Sequence, residues 1–146
     1  MEKIYISLLI ILSLVFTTCK NNADEGEQEN ITRTFELVEM TSGMIRSPDS
    51  NQELQWDESY TFMGDGTFVK MRKRPDQQPS QESGSYETTT LQDGDYYTLV
   101  YNNPENEIIG SCTANGKEVL RILNDDRIRN TWAMCDGPMM TYELTK

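Results

Sequence analysis

After residue 30 the apolar residues fall two apart, not three or four. Met140, Tyr142 and Leu144 alternate with Thr141, Glu143 and Thr145, and Tyr60 and Phe62 flank Thr61. A period of two is that of a β-strand turning one face to a core. Tyr97, Leu99 and Tyr101 alternate with Tyr96, Thr98 and Val100, which puts apolar matter on both faces and predicts a strand covered on each side. Turn residues punctuate these runs at Gly64-Asp65-Gly66, Asp93-Gly94, Asn115-Gly116 and Asp136-Gly137-Pro138, where glycine supplies the positive φ that tight hairpins need. The runs of strand length are 34–40, 56–63, 67–73, 84–90, 95–101, 107–114, 117–123, 128–134 and 139–145. No stretch in this region repeats at 3.6 residues over three turns.

Eight to nine short strands joined mostly by short turns predict an all-β domain, either a sandwich or a barrel. Greek-key sandwiches need long crossovers. The longer connections here are 41–55 and 74–83, rich in Ser, Pro, Asp, Gln or Asn. An antiparallel up-and-down β-barrel is therefore the expected fold, because closure removes the edge strands. A barrel of about eight strands holds one small ligand or is filled by its own side chains.

The first 30 residues differ in character. Ile4 to Phe16 is an apolar run preceded by Lys3 and followed by Thr17, Thr18 and Cys19. It is too short for a hydrocarbon core of about 30 Å, which takes about 20 residues. A basic start, a short apolar stretch and a cysteine beyond it are the layout of a lipoprotein signal peptide, so residues 1–18 are expected to be removed. Cys19 would then carry the lipid and make the membrane a partner. Residues 19–30 hold Asp24, Glu25, Glu27 and Glu29 without an aromatic residue, the composition of a flexible acidic tether. The folded domain is thus 31–146. The polar acidic run resembles the export signal of Bacteroidota-type lipoproteins, and an outer-membrane location follows, with the periplasmic and cell-surface sides both open.

Charge narrows the partners. With 24 acidic and 13 basic residues the net charge is −11, which speaks against a nucleic-acid partner. The one basic cluster, Lys70-Met71-Arg72-Lys73-Arg74, reads as a solvated hairpin edge, with an anionic-ligand or polysaccharide contact as the sharper alternative. Setting Cys19 aside leaves Cys112 and Cys135, an even pair in an oxidising compartment, and hence one expected disulfide. The strand assignment puts them near the ends of two strands with another between. Mid-strand cysteines so placed would stand about 10 Å apart, beyond bonding reach. A loop folded over the rim closes that gap.

Catalytic chemistry is sparse. The chain has no histidine, which removes histidine triads and imidazole metal sites, and no enzyme, cofactor or metal is expected. Its aspartates mostly sit beside turns, where Asp bonds its own backbone. Neither Asp93-Gly94-Asp95 nor Asn124-Asp125-Asp126 completes a calcium loop. The methionines read as packing residues.

Three segments together resemble a known family. Thr34-Phe35-Glu36-Leu37-Val38-Glu39, the hairpin Tyr60-Thr61-Phe62-Met63-Gly64-Asp65-Gly66-Thr67-Phe68, and Gly84-Ser85-Tyr86-Glu87 are similar to the small lipocalin-like bacterial lipoproteins. The resemblance spans nearly the whole of 31–146 and implies a lipocalin-like barrel. Phe35 stands where classical lipocalins carry a tryptophan, so the fold is better supported than carriage of a hydrophobic ligand. Two functions remain open. One is a barrel binding a small apolar or amphipathic ligand, with Trp56, Tyr60, Phe62, Phe68, Tyr97, Tyr101 and Trp132 as its wall. The other is a filled barrel docking by its loops onto an envelope protein or polysaccharide. An aromatic-lined void or a packed interior would tell them apart.

Overall fold

The computed structural model describes residues 31–41 and 54–145. Residues 1–30, where the signal peptide, the lipidated Cys19 and the tether are expected, and most of the 41–55 connection lie outside the described residues. Eight strands follow in order: β1 (Arg33–Thr41), β2 (Asp57–Phe62), β3 (Thr67–Lys73), β4 (Ser80–Leu91), β5 (Gly94–Tyr101), β6 (Lys117–Asn124), β7 (Arg127–Asn130) and β8 (Met139–Leu144). Each pairs antiparallel with its sequence neighbour, and β8 pairs with β1, which closes the barrel. This is the expected lipocalin-like up-and-down barrel. Every strand thus has a partner on each side, although the β1–β2 ladder is short, running only from Arg33 to Glu36 against Phe62 to Ser59.

The meander gives the barrel two unlike ends. Tight connections join β2 to β3, β4 to β5 and β6 to β7 at one, the hairpin end, where β1 also begins and β8 finishes. Leu144 N–H there donates to Asp126 O at 2.8 Å, and Thr145 N–H to Thr34 O at 2.8 Å. The opposite, long-loop end carries the β3–β4 connection (residues 74–79), a β5–β6 strap (102–116) and the β7–β8 connection, which holds a 3-10 turn at Trp132–Cys135.

Local chemistry accounts for the hairpins. Gly66 has φ +85°, with Asp65 Oδ1 accepting from Thr67 N–H (2.9 Å) and Thr67 Oγ1 (2.6 Å). Those bonds from Thr67 hold the Asp65 carboxyl below its ordinary range. Gly84 matters for space: a Cβ there would stand 2.0 Å from Val100 O and 2.9 Å from the Phe68 ring, so β4 lies flush on both neighbours only without one.

Four expectations change. Residues 107–114 form no strand; they belong to the strap, and the fully buried Ile108 plugs the barrel end instead of joining the wall. The 74–83 connection shortens because Ser80–Ser83 pair with Val69–Arg72 as the start of β4. At Asp136-Gly137-Pro138 the left-handed residue is Asp136 (φ 69°), not the glycine. The outer face of β5 is covered at Tyr96 alone, since Val100 is 43% exposed.

Candidate functional site

The inward face of each strand fills the barrel in two layers. Toward the hairpin end lie aromatic rings. Phe62 meets Tyr97 at 4.7 Å between centroids, Tyr86 at 4.9 Å and Phe35 at 5.9 Å. Phe68 meets Tyr101 edge-on at 5.0 Å. Such contacts each contribute about 0.5–1.5 kcal/mol beyond area burial.

Toward the long-loop end the same inward positions carry charge. Glu58 on β2, Lys70 and Arg72 on β3, and Glu118 on β6 are all buried. Lys70 Nζ lies 3.2 Å from Glu58 Oε1 and 3.1 Å from Glu118 Oε2, so one ammonium bridges two carboxylates across the barrel. Arg72 Nε donates to Glu58 Oε2, and Arg72 Nη2 to Ile108 O at 3.2 Å. Phenols complete the set. Tyr60 OH donates to Glu118 Oε1 at 2.9 Å, Tyr101 OH to Glu118 Oε2, and Tyr142 OH to Glu58 Oε1 at 2.8 Å. Trp56 Nε1 donates to Glu58 Oε2 at 3.1 Å, while the Arg72 guanidinium stands 4.8 Å over the Trp56 ring. Two cations and two anions cancel, as deep burial of charge requires.

The electrostatics follow from this geometry. Burial alone would raise the Glu58 carboxyl, but the Lys70 and Arg72 charges, with hydrogen bonds from Arg72 and Tyr142, hold it below its ordinary 4.5. Burial, then the Glu118 charge, pushes the Tyr60 and Tyr101 phenols well above 10.0. Burial and the Glu58 charge do the same for Tyr142.

The seven aromatic residues expected to line a ligand wall are thus divided. Tyr60, Phe62, Phe68, Tyr97 and Tyr101 point inward and are buried against one another or hydrogen-bonded to Glu118. Trp56 and Trp132 are half-buried at the long-loop rim. The sequence reading missed Glu58, Lys70, Arg72 and Glu118. Far from being a solvated edge, the basic run alternates: Lys70 and Arg72 face the interior, whereas Met71 is 44% exposed. The signal was present as shared strand faces, with Phe68, Lys70 and Arg72 two apart, as are Glu58, Tyr60 and Phe62.

Cys112 and Cys135 are bonded, with Cα atoms 5.6 Å apart. The bond ties the strap to the end of the 3-10 turn instead of linking strand ends. On the loop-entropy account it stabilises the fold by about 3 kcal/mol.

Open concavities lie on the outside. A cleft of about 330 Å³ beside β2 and β3 has Glu36, Asp57, Ser59, Met71, Lys73 and Pro79 among its lining. A second, of about 180 Å³, lies at the long-loop rim between Leu54–Asp57 and Lys73–Gln77. Among the described residues no cluster of His, Cys, Asp or Glu gathers as metal ligands. Comparison of the chain with known protein families, with curated proteins and with solved structures finds no match.

Proposed function

We propose that this is a lipid-anchored envelope lipoprotein whose filled barrel is a non-catalytic interaction module, presenting its long-loop end to another envelope component. The observation that carries the reading is the use of the barrel interior. Tyr60 and Tyr101 are bonded to Glu118, and Phe62 and Phe68 pack on neighbouring rings, so these residues are engaged with the protein itself. Functional groups on a rigid scaffold then belong to its loops. The chain direction supports the same reading. β1 begins at the hairpin end, so a lipid on Cys19 tethered through residues 19–30 would join the barrel at that end and leave the long loops at the end remote from the attachment.

The test pairs two measurements on the full chain. Titration with an apolar naphthylamine dye should give no saturable uptake, and an isolated envelope fraction should retain the unlipidated Cys19→Ala chain, so that retention reports docking and not the lipid. Stoichiometric uptake of the dye with energy transfer from tryptophan would replace this reading with the small-ligand one. For the anchor, a fatty-acid analogue should label the chain and spare Cys19→Ala; label on that variant would overturn the assignment.

A further inference from the structure

The two outer clefts are one feature. Asp57 and Lys73 are cross-strand partners, and both line both clefts, so the outer-wall lobe and the rim lobe meet at that pair. Adjoining at that pair, the two lobes make up a groove beside the long-loop ends of β2 and β3. We propose that this groove binds a neutral oligosaccharide chain, which names the partner class of the interaction module and rests on that reading.

Chemistry selects this ligand over others. The groove lining mixes apolar side chains with hydrogen-bonding ones: Met71 and Pro79 in the wall lobe, and in the rim lobe Pro75 and the half-buried Trp56, whose ring also faces Arg72 and Arg74. A sugar ring has the matching character, an apolar C–H face bordered by hydroxyls that both donate and accept. Glu36, Asp57 and Asp76 supply acceptors, Lys73 and Arg74 donors, and Ser59 and Gln77 both. An apolar lipid chain would leave those polar groups desolvated without partners, at a cost per group. Charge disfavours the polyelectrolytes: with Glu58 neutralised by Lys70 and Arg72, the lining sets Glu36, Asp57 and Asp76 against Lys73 and Arg74, three acids to two bases, although the chain as a whole stands at −11. A polyanion would meet the carboxylates and a polycation the Lys73–Arg74 pair.

The floor is preorganised. Trp56 is fixed by its indole bond to the buried Glu58 and by Arg72 over its ring, while Arg74 stands 5.6 Å over the same ring and pairs with Glu107 at 3.3 Å. The platform is thus held by the ionic core behind it, which lowers the ordering cost of binding. The wall lobe, at about 330 Å³, falls within the roughly 300–1,000 Å³ usual for small-ligand clefts.

The experiment uses the Trp132→Phe protein, in which Trp56 is the one remaining tryptophan of the two. Its emission is followed during titration with maltohexaose, cellohexaose, xylohexaose, mannohexaose and, as the charged comparison, oligogalacturonate. A saturable shift is expected with at least one neutral chain, unchanged by added salt. Lys73→Ala and Gln77→Ala, both at exposed positions, should each weaken it about tenfold, equivalent to about 1.4 kcal/mol. Silence with every neutral chain overturns the proposal. So does salt-sensitive binding of oligogalacturonate alone, or binding that both alanine variants leave intact. If no oligosaccharide binds but the envelope fraction still retains the unlipidated Cys19→Ala chain, the groove assignment fails and the interaction module stands; if neither binds, both fail.

Discussion

The hairpin half and the long-loop half of this barrel are filled by opposite means. In the first, rings pack on rings around Phe62, and the strands are joined by tight turns. In the second, Glu58, Lys70, Arg72 and Glu118 neutralise one another beneath a disulfide-bonded strap. Apolar packing is non-directional, so the ring cluster stabilises the barrel without specifying one arrangement of partners. The ionic layer works the other way. Taking four charges out of water offsets most of their mutual attraction, but any other pairing would leave a buried charge alone. The ring half therefore supplies net stability, and the ionic half fixes which residues meet across the barrel.

Breaking the ionic layer should have the largest effect. Lys70→Met leaves Glu118 with only phenol donors and should cost about 3–5 kcal/mol of unfolding free energy, read from denaturant titration. The double variant Lys70→Met with Glu118→Gln removes the stranded charge and should recover most of that loss. A double variant as unstable as the single would show that Lys70 acts by packing instead of charge. Extremes of pH should come next. Glu58 is held below its ordinary 4.5, so the unfolded chain binds more protons, and the stability it contributes is lost as pH falls below about 4.5. Tyr60, Tyr101 and Tyr142 sit above 10.0 in the fold, so their contribution is complete below pH 10.0 and declines as pH rises past it. Melting temperature measured against pH should show both limbs. A hairpin-half change such as Phe62→Leu should lower the whole curve without moving them.

Smaller effects probe the other half. Gly84→Ala drives a methyl group against Val100 O and the Phe68 ring, and overpacking of this kind costs about 1–3 kcal/mol. At Gly66 an added Cβ meets only Tyr86 O, at 3.8 Å, so Gly66→Val is not crowded at that atom. Its penalty is the left-handed backbone alone, about 1–2 kcal/mol. Thermal unfolding that ranked Gly66→Val above Gly84→Ala would mean that turn conformation outweighs strand contact in this half.

Much of the architecture was legible because strand alternation and turn chemistry are local. The Tyr60–Phe68 hairpin, the inward face of Met140, Tyr142 and Leu144, and the glycine at position 66 each follow from residues a few positions apart. So does the closed meander, which short connections favour over crossovers. The tertiary structure alone decided the rest. An apolar pair such as Ile108-Ile109 reads the same in a strand as in a plug; Arg72, bonding Ile108 O from 36 residues away, marks it as part of the strap. Ser80–Ser83 became strand because ladder bonds are made by the backbone whatever the side chain. Lys70 and Arg72 looked like surface cations because their neutralising carboxylates lie on other strands, Glu118 being 48 residues along the chain from Lys70. Short-range pattern specifies which face a residue occupies. Glu58 meets Lys70 and Arg72 from the neighbouring strand of one hairpin, but the second carboxylate on Lys70, Glu118 on β6, comes within 4 Å only when the barrel closes.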